Sequence, residues 1–229
     1  MIATFSNVTK HYSSGEGITN VSFRIPKGQV IGLLGINGSG KSTTMKLLSG
    51  LLQAQHGEVL VNATKPRASR HNVAFLGDRL GFSSWMNPRH MSRFMETFYD
   101  DFDVDKFKSL IQELKIPPKP LSEMSKGQQQ KLKLAATMAR QVHLYLLDEP
   151  LSGIDLIART GILKSLVTNW DKNSSIVMAT HEIKDVEPFL DRSLFLAAGS
   201  LQADEDTKTI TANGTTVAER FIEIMEPNS

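Results

Sequence analysis

The chain has no cysteine among its 229 residues, which excludes a disulfide framework and any cysteine-ligated zinc centre and suits a reducing compartment. It also lacks a long apolar run. The longest stretch free of Asp, Glu, Lys and Arg extends from Gly28 to Gly40 and is rich in glycine, whereas a membrane span needs about 20 mostly apolar residues. The chain is therefore not expected to cross a bilayer by itself. Charge of one sign is missing as well: 26 Lys+Arg stand against 24 Asp+Glu, for a net charge of +2. A nucleic-acid footprint would have to come from a local basic patch; none is apparent, and no nucleic-acid partner is expected. Residues Met1 to Ser14 show no charged segment followed by an apolar one, so no secretory signal is read and a cytosolic location is expected. What is present, 40% hydrophobic and 22% charged residues, is the composition of a globular protein able to bury a core.

Apolar patterning divides the chain into three stretches. The first reads as strands at Ile2 to Thr9, Ile18 to Ile25 and Gln29 to Leu34, followed by a helix from Lys41 and short strands at Glu58 to Val61 and Val73 to Leu76. The second is helical. Asn87-Pro88 supplies an N-cap and first-turn pair, and Met91, Phe94, Met95 and Phe98 recur at the spacing of one helix face. Further helices are predicted over Val104 to Leu114, stopped by Pro117, Pro118 and Pro120, and over Ser125 to Arg140. In the third stretch, strands at Leu144 to Leu147, Ser175 to Ala179 and Ser193 to Leu196 alternate with helices near Asp155 to Asn169 and Glu182 to Phe189, the period of a parallel sheet. From Ser200 to Ser229 the sequence is polar and weakly patterned, apart from a helix predicted over Val217 to Met225.

Two segments carry recognisable chemistry. Gly35-Ile36-Asn37-Gly38-Ser39-Gly40-Lys41-Ser42-Thr43 matches G-x-x-x-x-G-K-[ST] and lies between a buried strand and a helix. Such glycines let backbone N–H groups wrap a phosphate chain, the helix N-terminus adds partial positive charge, Lys41 reaches the β- and γ-phosphates, and the Ser42 hydroxyl can ligate Mg²⁺. The apolar strand ahead of Asp148-Glu149-Pro150 ends in two adjacent carboxylates. Carboxylates in such a place are expensive to bury unless they meet a metal or a proton-transfer task. Asp148 is assigned to the Mg²⁺ shell, directly or through water, and Glu149 to general-base work on the attacking water. The fold class expected is α/β, a P-loop NTPase core of RecA-like type.

A third segment narrows this. Met124-Ser125-Lys126-Gly127-Gln128 stands at the head of a helix upstream of Asp148, and with it the chain, from about Ile2 to Leu201, resembles the ATP-binding cassette (ABC) family, whose LSGGQ signature precedes the Asp-Glu strand in this order. The resemblance implies that Ser125, Gly127 and Gln128 bind a partner's nucleotide across a head-to-tail dimer. It also implies that Tyr12 stacks on adenine, an exposed strand-end tyrosine being the other reading. Ser152-Gly153-Ile154-Asp155 resembles the loop at the dimer interface, and Asp155 equally suits a helix cap. His181, after a core strand, resembles the switch histidine that meets the γ-phosphate and the water. The family usually has a Gln after the strand that here reads Val73 to Leu76; alignment puts Asp78 there, either as a substitute Mg²⁺ ligand or with the register off by one residue.

The resemblance further implies ATP and Mg²⁺ as cofactors, an N-terminal antiparallel β subdomain and an inserted α-helical subdomain. The core is expected over about 1–78 and 141–201, the helical subdomain over about 79–140 and a C-terminal extension over about 202–229. The implied role is the ATP-hydrolysing subunit of a transporter, at the inner face of the membrane beneath separate permease subunits, as a homodimer or with a related cassette. Leu80, Phe82, Trp85 and Met86 are candidates for the permease contact or for the subdomain's own core. Lys126 in the signature and the single short cassette look more like bacterial exporters of the ABC-2 type than sugar importers. The alternative is a stand-alone cytosolic ATPase of the same family in assembly or repair.

Overall fold

A computed structural model describes residues 1–77, 81–168, 170–212 and 214–226. Alternating apolar residues bury one face of strands β1 (Ala3–His11) and β2 (Gly17–Ile25), where Phe5 and Phe23 stack with ring centroids 4.6 Å apart. With β4 (His56–Val61) they form a three-stranded antiparallel sheet in the order β2-β1-β4. The continuous apolar runs behave differently. Strands β3 (Val30–Leu34), β6 (Leu144–Asp148) and β7 (Ser175–Thr180) are buried along their whole length, as strands covered on both faces require. They form the centre of a second sheet, ordered β5-β6-β7-β3-β8-β9, with β5 (Val73–Leu76) at one end, β8 (Arg192–Ala197) beside β3 and β9 (Ser200–Asp206) at the other end. One hydrophobic cluster fills the space between the two sheets around helix α1 (Lys41–Leu48), and a second lies between the large sheet and the remaining helices.

Between β5 and β6 the chain forms a helical layer. Helix α2 (Pro88–Phe98) starts where Asn87 Oδ1 accepts the His90 N–H at 3.0 Å, and α3 (Val104–Glu113) where Asp103 Oδ1 accepts the Lys106 N–H at 2.8 Å. That bond to the helix N-terminus holds the Asp103 carboxyl below the usual carboxylate range. Helix α4 (Lys126–Met138) completes the layer. Met91 and Met95 of the predicted α2 stripe are buried, whereas Phe98 at its end is 66% exposed.

Arg140 joins this layer to the sheet. Its guanidinium is buried, donates to Asp101 Oδ1 at 2.8 Å and Oδ2 at 2.6 Å, to Val73 O at 2.9 Å and to His71 O at 3.2 Å, and lies over the Tyr99 ring at 4.1 Å. A cation taken from water is tolerable here because the bidentate carboxylate and two carbonyls satisfy it.

The segment after Ser200 departs from the sequence reading. Strand β9 (Ser200–Asp206) pairs antiparallel with β8, and α7 (Thr207–Ala212) follows it, so the core sheet continues past Leu201. The turn residues Ala198 (φ 45°) and Gly199 (φ 76°) are both left-handed, the two-residue geometry that joins paired strands. Acidic side chains masked this edge strand: Arg192 of β8 pairs with Asp204, and Glu205 with Arg220. The predicted terminal helix is present as α8 (Val217–Met225).

Candidate nucleotide-binding site

The loop from Gly35 to Gly40 links β3 to α1, and its backbone has to reverse within a few residues. Gly38 (φ 81°) and Gly40 (φ 105°) supply the left-handed conformations, and a Cβ on Gly40 would lie 2.5 Å from Ile18 of β2. Lys41, the first residue of α1, is buried; its Nζ donates to Gly35 O at 2.7 Å and to Ile36 O at 3.1 Å, which closes the loop around the ammonium group. Burial pushes the Lys41 ammonium below its ordinary pKa, and the carboxylates of Glu149 and Asp148 oppose that shift. A cation thus sits at a helix N-terminus facing two acids.

These groups line one cavity of about 290 Å³, whose wall includes Tyr12, Asn37, Gly38, Gly40, Lys41, Ser42, Thr43, Asp148 and Glu149. Gly35 and Ser39 of the loop are not in that wall. A Cβ on Gly35 would lie 2.5 Å from Leu196 O, so its role is close packing, and the buried Ser39 Oγ has no hydrogen-bond partner. Glu16 and Gly17 line the cavity too, which sequence reasoning missed. The Tyr12 N–H donates to Glu16 O at 2.9 Å and the Gly15 N–H to Tyr12 O at 3.0 Å, so the turn between β1 and β2 closes on itself and presents Tyr12, Glu16 and Gly17 to the cavity. Its signal was the cluster Ser13-Ser14-Gly15-Glu16-Gly17 between two apolar runs.

Asp148 is buried at the end of β6. Glu149 follows at φ 45°, with its N–H donating to Ala179 O at 2.8 Å. Thr180 Oγ1 donates to Glu149 Oε2 at 3.0 Å, and His181 Nδ1 lies 2.8 Å from Oε1. The structure therefore brings His181 to Glu149, while His181 itself lines a different, mostly apolar cavity beside α6 (Ile183–Val186) and α8.

Ser125, Gly127, Gln128 and Asp155 lie outside the cavity wall. Ser125 Oγ accepts the Gln128 N–H at 3.2 Å and Gln128 Oε1 accepts the Ser125 N–H at 3.0 Å, a reciprocal cap on α4. Asp155 Oδ1 accepts the Ala158 N–H at 3.0 Å at the start of α5 (Leu156–Thr168). The two caps belong to one surface, because a Cβ on Gly127 would lie 2.6 Å from Gly153 O. Asp78 and Leu80 lie outside the described residues. Of the other permease-contact candidates, Met86 is buried in the subdomain core, Trp85 is exposed with its ring edge-on to His90, and Phe82 packs on Phe94 beside a larger cavity.

Among the described residues, no group of three or more His, Cys, Asp or Glu could hold a metal ion. The Ser42 hydroxyl and Asp148 carboxylate share one wall, a sparse oxygen set that fits Mg²⁺ held jointly with substrate phosphates rather than in an all-protein cage. No helix among the described residues is long and apolar enough to cross a membrane.

The chain is similar to known proteins in sequence and in fold. A family model described as ABC transporter matches residues 18–152. The SkfA peptide export ATP-binding protein SkfE of Bacillus subtilis is 28% identical over 86% of each chain. The manganese transport system ATP-binding protein MntB of Halalkalibacterium halodurans is 30% identical, over 85% of this chain and 82% of its own. A solved ATP-binding subunit of an ABC transporter superposes with a TM-score of 0.87 at 22% identity, over 98% of this chain and all of that one. A dimeric cassette, MJ0796, in a post-hydrolysis state with ADP and Pi gives a TM-score of 0.79 at 21% identity, over 90% of this chain and 99% of that one.

Proposed function

The chain belongs to the ABC transporter family as an ATP-hydrolysing, ATP-binding subunit, and from that premise we propose that it powers export of a substrate through separate membrane subunits. The carrying observation is the single cavity that faces Lys41 with Asp148 and Glu149. Tyr12 at its mouth stacks on the adenine. The loop N–H groups and Lys41 take the phosphates, and Ser42 with Asp148 would hold a Mg²⁺ ion, which when bound neutralises phosphate charge. Glu149, oriented through both carboxylate oxygens, takes a proton from the attacking water, and His181 keeps the carboxylate aimed.

Ser125, Gly127 and Gln128 lie outside the wall of this cavity, which suits a head-to-tail dimer in which each signature meets the other chain's nucleotide. Two copies of this chain, or one with a related cassette, satisfy the same geometry, and Asp155 lies on that face. Export is favoured by Lys126 in the signature and by the peptide-export relative, which matches over an equal share of both chains. The permease contact falls in a cavity of about 1000 Å³ between β5 and α2, where Phe75, Phe82, Phe94 and Phe98 converge. A short helix of the membrane subunit suits such a groove, and this contact holds the chain at the inner face of the membrane.

The test is expression in the native host followed by purification from detergent-solubilised membrane, with ATPase and substrate efflux measured in reconstituted vesicles. Recovery with a membrane subunit and ATP-dependent efflux are expected. Full recovery in the cytosol with no membrane subunit would favour a stand-alone assembly or repair ATPase.

A further inference from the structure

Three consecutive glutamines, Gln128 to Gln130, lie near the start of α4, and at about 100° per residue they face three ways. Gln128 caps the helix. Gln129 Nε2 donates to Leu121 O at 2.8 Å and to Met124 O at 3.2 Å, tying the preceding turn to the helix. Gln130 points instead across to the core, where its Nε2 donates to Glu149 O at 3.3 Å and to Pro150 O at 3.2 Å.

The place it reaches is strained. Glu149 carries a Cβ yet sits at φ 45°, a left-handed conformation that costs a non-glycine residue about 1–2 kcal/mol. Such a conformation persists only where its surroundings over-determine it. Here the Glu149 N–H is fixed on Ala179 O at 2.8 Å, and the Ser152 N–H donates to Glu149 O at 3.2 Å. These bonds come from β7 and from the turn itself, and Gln130 adds one from the helical layer. The backbone rotation that relaxed φ at Glu149 would swing the carbonyl away from Gln130 and the carboxylate away from Thr180 and His181.

We propose that Gln130 is a positioning residue for ATP hydrolysis: it holds the left-handed turn at Glu149 from the signature helix, and so aims the carboxylate. The inference rests on Glu149 acting as the general base. It gives α4 two tasks on one rigid element, the signature cap at its N-terminus and the brace one turn later.

The experiment is steady-state ATPase of the purified full chain carrying Gln130→Ala, which removes the donor, and Gln130→Glu, which keeps the shape, removes the donor and sets a negative charge against the Glu149 and Pro150 carbonyls, each alone and combined with Glu149→Gln. Loss of a donor to a strained turn predicts a fall in kcat of about fivefold to thirtyfold. KM and the dissociation constant of a fluorescent ATP analogue should stay within about twofold of wild type, because Gln130 does not line the nucleotide cavity. In the Glu149→Gln background neither substitution should reduce the residual rate further. A kcat within twofold of wild type in both variants overturns the proposal, as does an equal fold-loss with and without Glu149. If Glu149→Gln alone turns over near wild type, the base assignment fails first and the proposal with it. Thermal unfolding of Gln130→Glu separates a fold defect from a kinetic one.

Discussion

His181 Nδ1 lies 2.8 Å from Glu149 Oε1, and the neighbouring Thr180 donates to Oε2 at 3.0 Å. Thr180 at the end of β7 and the residue after it thereby fix both oxygens of the carboxylate that follows the neighbouring strand, β6. A carboxylate held this way keeps one orientation and needs no reorganisation to meet a water molecule.

Glu149→Gln is expected to keep nucleotide binding and lower turnover by about 10²- to 10⁴-fold, with an ATP-bound dimer accumulating. His181→Ala should cost less, because Thr180 still holds one oxygen. Phosphate release and size-exclusion chromatography with ATP check both, and turnover near wild type in Glu149→Gln would rule out the general-base role.

Lys41→Ala should act earlier, on binding. Its Nζ closes the loop through Gly35 O and Ile36 O, and the cation it brings to the cavity has already been desolvated by burial. Removal deletes the charge that meets the phosphates and loosens the loop that shapes their seat. Affinity for a fluorescent ATP analogue should fall at least about tenfold, on the scale of a lost charged hydrogen bond; unchanged affinity would contradict the phosphate-loop reading.

What was legible in the sequence was local. The glycine loop between β3 and α1, the Asn87-Pro88 start of α2 and the buried strands β3, β6 and β7 follow from residue types within a few positions of one another. Strand β9 was not legible, because its evidence is the pairing of Arg192 with Asp204 and of Arg220 with Glu205 across separate elements. Nor was the Arg140 junction, whose carboxylate partner Asp101 lies 39 positions away in the chain. The left-handed backbone of Glu149 also leaves no mark in composition, since tertiary hydrogen bonds impose it against the residue's own preference.

Gly127→Ala tests the seam between the signature and the loop after Glu149. The added Cβ would lie 2.6 Å from Gly153 O, a backbone atom. Relief requires moving the start of α4 or the 152–155 turn, and overpacking of this kind costs about 1–3 kcal/mol. Urea titration should show the loss as a lower midpoint, with turnover falling as the signature shifts. Equal stability would mean that the seam is looser than the contact implies.

Asp101→Ala should weaken the attachment of the helical layer. It leaves the buried Arg140 guanidinium with two carbonyls and no counter-charge, and removing one partner of such a pair costs about 3–5 kcal/mol. Hydrogen exchange should report faster opening across α2 and α3 than across β3 and β7, whose contacts the substitution does not touch. A uniform change over the whole chain would place Arg140 in the core rather than at a junction.

The groove beside that junction is lined in part by Arg140 and Asp101 themselves and in part by aromatic residues. Phe98 continues the buried stripe of Met91 and Met95, yet it is 66% exposed and faces the cavity that Phe82 and Phe94 also line. A large aromatic left on the surface at the end of a core stripe contributes little to folding and a great deal to a partner that covers it. Phe98→Asp should therefore leave thermal stability and nucleotide affinity near wild type, since the residue is not part of the nucleotide cavity wall. Recovery of the membrane subunit in co-purification should fall by at least about tenfold, the loss expected on removing one buried aromatic anchor. Undiminished recovery would place the permease contact elsewhere on the chain. Loss of stability would instead show that Phe98 closes the subdomain core despite its exposure.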